Sequence, residues 1–181
     1  FVSANYKIGF KKNYSSFFYN QTVKLKRVKE NGLQLSIQNR FQLLEPIISD
    51  FPKNSEVEIH LTPKEVENSR ERLDSALGKG KNAIMVSALG SSKNKTYPLK
   101  YMAQLMDIAF QTKQLPFILN YHPDQEEQIE ELINLLKLPT QKAVIKSLTP
   151  NSLRDYMATA YHCIAVVGNE GGAINIAKVL K

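Results

Sequence analysis

The sequence predicts an α/β protein built on a parallel sheet. Three observations carry that reading. Four short apolar runs, at residues 83–88, 116–121, 143–145 and 162–167, have the length of strands. The stretches between them, 98–113, 124–136 and 149–160, repeat apolar residues at the three-and-four spacing of a helix. Strand and helix alternate, which is the pattern of βαβ units joined by crossovers.

The first 60 residues are mixed in character. Phe17, Phe18, Tyr19, Thr22, Val23 and Leu25 suit an extended segment. Residues 33–51 carry a helical spacing of Leu35, Phe41, Leu44, Ile47, Ile48 and Phe51. Pro46 kinks or splits that helix, and Pro52 ends it. Residues 57–61 read as a strand. Thr62-Pro63-Lys64-Glu65 then opens a helix, with Thr62 as cap, Pro63 in the first turn and Glu65 completing a capping box. It runs to about Leu77, and Gly78 stops it.

After Gly80 the pattern becomes regular. Residues 83–88 (AIMVSA) form a buried strand. The helix over 98–113 turns Met102, Leu105, Met106, Ala109 and Phe110 inward. A second strand, 116–121, leads to a helix over 124–136 with Ile129, Leu132, Ile133 and Leu136 inward. Residues 143–145 are a brief third strand. Thr149-Pro150 opens a helix ending near Ala160. Residues 162–167 are a fourth strand and 172–180 a final helix.

Composition narrows the classes. Of 181 residues, 43% are hydrophobic and 23% charged, an ordinary globular composition that argues against a disordered tail. No apolar run approaches the ~20 residues of a membrane span. Phe1 is not an initiator, so the protein is expected to continue upstream. Cys163 is the single cysteine, which excludes an internal disulfide framework and fits a reducing compartment. His60, His122 and His162 are too scattered for a metal motif. The net charge of +7 sits in residues 1–29, where Lys7, Lys11, Lys12, Lys24, Lys26, Arg27 and Lys29 meet no acid. The remainder is neutral, so whole-domain nucleic-acid binding is disfavoured. That segment is either a solvated basic face or a contact for an anionic surface such as lipid. The aromatics Phe17, Phe18 and Tyr19 within it read as core rather than as a base-stacking platform.

Parallel sheets bind ligands in the loops at the carboxyl ends of their strands. After the first regular strand, residues 89–98 (LGSSKNKTYP) are small, polar and basic and lead into a helix. Backbone N–H groups there, Ser91, Ser92 and Lys95 suit an anion, or else the loop is a solvated turn. The spacing is not that of a Walker loop. After the last strand comes Gly168-Asn169-Glu170-Gly171-Gly172. Gly171 and Gly172 permit close approach of a ligand. Glu170 either accepts hydrogen bonds from ligand hydroxyls or favours the helix dipole. This is not the dinucleotide GxGxxG. The middle loop, His122-Pro123-Asp124, is a helix start with Asp124 as cap. His162 and Cys163 read as core.

Taken in order, these loops resemble the donor-binding half of the heptosyltransferase-like glycosyltransferases, the family that builds lipopolysaccharide inner core. The resemblance spans residues 84–181 and, more weakly, 6–77. It rests on Gly90-Ser91-Ser92 followed by Lys95-Thr96-Tyr97-Pro98, on residues 119–131 with Asp124 at the family's acid, and on residues 169–177 (NEGGAINIA) against the signature Asn-Asp-x-Gly-x-x-His-x-Ala. Residues 147–160 and Tyr6-Lys7-Ile8-Gly9-Phe10 add weaker matches. Glu170 replaces the family's usual Asp, Asn175 its His and Tyr97 its Trp.

The resemblance implies two facing Rossmann-like domains, here a Rossmann-like parallel sheet with flanking helices that is incomplete at both ends. Residues 1–60 would be a remnant of the acceptor domain and linker, and 61–181 the nucleotide-sugar-binding domain. Gly90, Ser91, Ser92 and Lys95 would meet the donor phosphates. Glu170, Gly171, Gly172 and Asn175 would lie at phosphate or sugar, with Asp124 near the nucleoside or sugar. The catalytic base would lie outside this chain, which alone would be inactive. No metal and no cofactor beyond the nucleotide-sugar, ADP-linked or otherwise, is expected. Implied partners are that donor, a lipid-linked saccharide acceptor and the membrane surface, with no nucleic acid. The implied setting is cytoplasmic, peripheral on the inner membrane. The alternative is a Rossmann-like binding module that has lost catalysis.

Overall fold

The computed structural model describes residues 4–29, 35–48 and 58–180. The chain divides into two units, Phe1–Glu56 and Val57–Lys181.

In the first unit β1 (Ile8–Phe10) pairs in parallel with β2 (Gln21–Val23), Ile8 opposite Gln21. Gly9 lies under the Tyr19 ring, and a Cβ there would fall 2.4 Å from it. Phe17 and Phe18 are not extended and not core. They occupy a short 3-10 turn, Ser16–Phe18, and stand 75% and 57% exposed. α1 (Leu35–Gln42) is shorter than the periodicity predicts. Pro46 explains its end, because a proline ring collides with the carbonyl four residues earlier, here Gln42. Leu33 and Phe51 lie outside the described residues. α1 buries Gln38, Asn39 and Gln42, while Leu44, Ile47 and Ile48 beyond it are exposed. The cause is a two-point amide grip: Asn39 Oδ1 accepts from the Lys26 N–H at 2.7 Å, and Nδ2 donates to the Lys26 carbonyl at 3.1 Å. A buried amide with both ends bonded is held as firmly as an apolar side chain.

The second unit follows the alternation read from the sequence. β3 (Ile84–Ser87) is central, with β4 (Phe117–Leu119) on one side and β5 (Ala165–Gly168) on the other, all parallel. Successive β3 residues point to opposite faces. Ile84 and Val86 join a core with α3 (Leu99–Lys113) and α4 (Glu126–Leu135). Ala83 and Met85 join a second core with α2 (Pro63–Leu77) and α6 (Leu153–Tyr161). β3 is buried along its whole length, as a strand covered on both faces must be.

Several expected boundaries move. The strand expected at 57–61 is represented among the described residues by one bridge, Ile59 to Leu180. The strand expected at 143–145 is one bridge, Val144 to Phe117, because α5 (Leu138–Lys142) runs directly into it and a 3-10 turn, Lys146–Leu148, follows. The helix expected from Thr149 begins at Leu153, where Ser152 Oγ accepts the Asp155 N–H at 3.1 Å. α7 (Gly172–Ala177) stops short of Leu180. β5 starts at Ala165, so His162 and Cys163 precede it. His162 Nε2 donates to the Val66 carbonyl at 2.9 Å, and the Cys163 Sγ–H donates to the Thr159 carbonyl. Burial pushes the Cys163 thiol up to about 12, which makes it inert. Among the described residues no helix is long and apolar enough to cross a membrane.

The opening of α2 has the expected capping box: Thr62 N–H donates to Glu65 Oε2 at 2.8 Å, and Glu65 N–H to Thr62 Oγ1 at 3.3 Å. Glu65 also takes Arg154 of α6, while Arg72 of α2 reaches Asp155 and Thr159, each at 2.8 Å. Gly78 ends α2 at φ 94°, a left-handed value that glycine adopts freely. The hydrogen bond from Arg154, then those from Thr62, lower the Glu65 carboxyl to about 2. A depressed carboxyl stabilises the fold above its unfolded value near 4.3 and loses that contribution as pH falls toward about 2. Glu65→Gln is therefore expected to lower the urea midpoint at pH 7. The gap to wild type should narrow steadily below pH 4.5, measured by unfolding at a series of pH values.

Candidate functional site

The strand order creates a crevice. β3 leads out to α3 on one face, and β5 leads out to α7 on the other. Adjacent parallel strands whose connections part in this way leave an opening at their carboxyl ends. A cleft of about 790 Å³ lies there. Its floor is Ser87 at the end of β3, Asn120 just beyond β4, and Tyr156 of α6. Its walls include Tyr121, His122, Gln125 and Glu126 on one side and residues 149–153 with Gly172, Ala173 and Ile176 on the other. Among the described residues that line it, Glu126 is the one carboxylate, and none is a lysine or arginine. Such walls suit a neutral, hydroxyl-bearing and partly apolar ligand.

The basic loop after β3 stands beside this cleft and is held from both sides by amides. Asn169 Oδ1 accepts the Tyr97 N–H at 2.6 Å, and Nδ2 donates to the Ala88 carbonyl at 2.6 Å. The loop after β5 is thereby tied to both ends of the loop after β3. From the β4 side, Gln125 Nε2 donates to the Gly90 carbonyl at 3.3 Å, and its Oε1 accepts the His122 N–H at 3.0 Å. Within the loop, Thr96 Oγ1 accepts the Gly90 N–H at 3.0 Å and donates to the Ser92 carbonyl at 2.9 Å.

The glycines divide into two kinds. A Cβ on Gly90 would sit 2.3 Å from the Lys95 carbonyl oxygen, and one on Gly168 2.5 Å from that of Ser87. Both are required by close backbone packing. Nothing lies within 4 Å of the Cβ position at Gly172, and at Gly171 only the Asn169 carbonyl does, at 3.9 Å. The space beside them is open to a ligand.

The structure brings the Gly90–Lys95 and Glu170–Gly172 segments together through β3–β5 pairing and Asn169. Ser91, Ser92 and Lys95 are exposed, Lys95 within a 3-10 turn, Lys93–Lys95. Glu170 is exposed at the end of β5, and Asn175 is exposed on α7. Asp124 lies on the β4 side and does not line the cleft. It is not the expected cap either. Pro123 takes the first position of the 3-10 turn Pro123–Gln125, so the cap falls one residue earlier, on His122. Asp124 is 76% exposed and pairs with His122 Nδ1 at 2.6 Å.

Sequence reasoning passed over Ser87, Asn120, residues 149–152, Tyr156 and Asn169. Ser87 and Asn120 had a signal, since each is a polar residue near the carboxyl end of an apolar run. Burial first, then a hydrogen bond to Glu126, raises the Tyr121 phenol, which stays protonated as a donor at neutral pH. Among the described residues no three His, Cys, Asp or Glu side chains gather where they could hold a metal.

The profile of glycosyltransferase family 9 (heptosyltransferase) matches residues 1–181. No curated protein matches the chain. Among solved structures, the glycosyl transferase family 9 protein from Veillonella parvula is similar at TM-score 0.69 and 16% identity, over 96% of this chain and 48% of that one. E. coli ADP-heptose LPS heptosyltransferase II is similar at TM-score 0.59 and 16% identity, over 72% and 39%. E. coli heptosyltransferase WaaC with ADP is similar at TM-score 0.60 and 12% identity, over 96% and 52%. The chain thus spans about half the length of these structures or less.

Two substitutions probe the stitching. Asn169→Ala strands the Tyr97 N–H and the Ala88 carbonyl and is expected to cost about 1–3 kcal/mol. Gly168→Ala forces a methyl group onto the β3 backbone, with a loss of about 1–3 kcal/mol. Gly171→Ala and Gly172→Ala should leave stability unchanged. Chemical denaturation of the four variants checks the contrast.

Proposed function

The chain belongs to glycosyltransferase family 9, and from that premise we propose that residues 61–181 bind the nucleotide-sugar donor of a heptosyltransferase. The observation that carries this reading is the cleft at the carboxyl edge of the sheet, bordered by a lysine-bearing loop that side-chain amides hold in place. Similarity of fold to E. coli ADP-heptose LPS heptosyltransferase II and to E. coli heptosyltransferase WaaC with ADP supports an ADP-linked donor.

In this reading the nucleoside enters the cleft. Tyr121 and the amides around it meet the base and ribose. Ser91, Ser92 and Lys95 of the loop after β3 face the diphosphate. Glu170, Gly171 and Gly172 take phosphate or sugar where the backbone is open. Asp124 and Asn175 stand outside the cleft lining and would touch only parts of the donor that extend beyond it.

Glycosyl transfer breaks the bond from the sugar to the diphosphate, so negative charge grows on the leaving group. A lysine and preoriented N–H donors stabilise that charge without a proton transfer. The acceptor hydroxyl needs a base. We assign none to this chain; the base belongs with the acceptor domain, of which residues 1–60 are a part. A lipid-linked saccharide of the lipopolysaccharide type is the proposed acceptor, met at the cytoplasmic face of the inner membrane. Asn175 cannot carry charge where the family's usual histidine can, so the contact there is by hydrogen bond alone.

Calorimetric titration with ADP, UDP, GDP and NAD tests the reading. ADP is expected to bind selectively. Lys95→Ala should weaken it roughly tenfold, the size of a charge-assisted contact. Gly172→Ala should also weaken it, at unchanged stability. A folded wild-type chain that binds none of the four overturns the donor assignment.

A further inference from the structure

The floor of the cleft contains a relay of buried polar groups. Asn120 Nδ2 donates to Ser87 Oγ at 3.1 Å. Ser87, 5% exposed, faces the phenol of Tyr156, which is 3% exposed on α6. The Tyr156 hydroxyl donates to the Ala173 carbonyl at 2.7 Å. The relay therefore runs from the end of β4, through β3 and α6, into the first turn of α7.

That last contact matters because it ties the first turn of α7 itself, whereas Asn169 holds the loop three residues before it. α7 is six residues long, and Gly171 supplies no side-chain cap. A helix of that length has no stability of its own in water and takes its position from what it touches. Ile176 and Ala173 rest on the apolar core, but an apolar contact allows sliding. A hydrogen bond from a phenol locked in a close-packed site does not. Gly172 and Ala173 are also the residues that α7 presents to the cleft, along with Ile176.

Resting on the donor-cleft reading above, we propose that Tyr156 is a positioning residue: its hydroxyl, between Ser87 and the Ala173 carbonyl, sets how far the first turn of α7 stands from the strand edge and so the width of the opening that admits the nucleotide. The ring fills space that phenylalanine would fill equally. The hydroxyl supplies the hydrogen bond to α7, which phenylalanine would lack. Burial also raises the phenol to about 12, so it remains a donor throughout the working pH range.

The test is Tyr156→Phe in the full chain, read by ADP titration, thermal melting and amide hydrogen exchange. ADP affinity is expected to fall about fivefold. Exchange of residues 172–177 should quicken while that of β3 is unchanged. Ser87→Ala should act in the same direction, and the double variant should be no weaker than the weaker single one, because the two groups act as a unit. Met157→Leu, a neighbouring buried change on α6, should leave affinity intact. Wild-type affinity and unaltered exchange in Tyr156→Phe overturn the inference alone. So does a loss that Met157→Leu shares at equal melting temperature. A wild-type chain that binds no nucleoside diphosphate overturns the donor reading on which the inference stands.

Discussion

Burial of β3 on both faces is the constraint on which the rest of the 57–181 unit depends. Ile84, Met85 and Val86 pair in parallel with both β4 and β5 and contribute to both apolar cores, and Ser87 pairs with β5. Parallel pairing forces every return of the chain to pass over a face of the sheet, which is why helices cover both. It also brings three carboxyl ends to one edge. Ser87, Asn120 and Gly168 meet there because Ile84 is in register with Phe117 on one side and Ala165 on the other. The cleft follows from the pairing.

The edge would be loose without its side-chain amides. Loops that leave parallel strands share no backbone ladder, so side chains must link them. Asn169 and Gln125 each present a donor and an acceptor, and each uses both. An amide can satisfy a backbone N–H and a backbone carbonyl at once, which neither a hydroxyl nor a carboxylate does as readily. The same device holds Asn39 to Lys26 in the first unit. The ion pairs between α2 and α6 lie elsewhere. Glu65, Arg72, Arg154 and Asp155 fasten α2 to α6 on the far layer, away from the cleft lining.

Much of this was legible in the sequence. Continuous apolar runs located β3 and β4, and period-3.6 patterns located α3 and α4, to within a few residues, because each buries an apolar face. The capping box at Thr62 and the stop at Gly78 were legible because their chemistry is local. The failures have physical causes. Residues 143–145 look like a strand but follow a helix so closely that one bridge is all they can form. Thr149-Pro150 looks like a helix start, yet Ser152 offers the better cap. In the first unit a helix turns amides inward, which no hydrophobic pattern can announce. At the site, the loops after β3 and β5 were visible as small, polar segments that follow apolar runs. Asn169 and Tyr156 were not, because their partners lie in other loops and helices and exist only once the sheet has closed.

The order β4-β3-β5 also has a consequence for how the protein is made. Residues 84 to 119 can close one side of β3 as soon as they leave the ribosome. The other side must wait until residues 165 to 168 have been synthesised. Throughout that interval one apolar strand edge has unpaired N–H and carbonyl groups, which is a template for another chain. Gly168 closes that edge at the Ser87 carbonyl, and Asn169 follows at once with the bonds that seal it. β5 and its lock are thus adjacent in sequence, so one continuous segment both covers this edge of β3 and seals it.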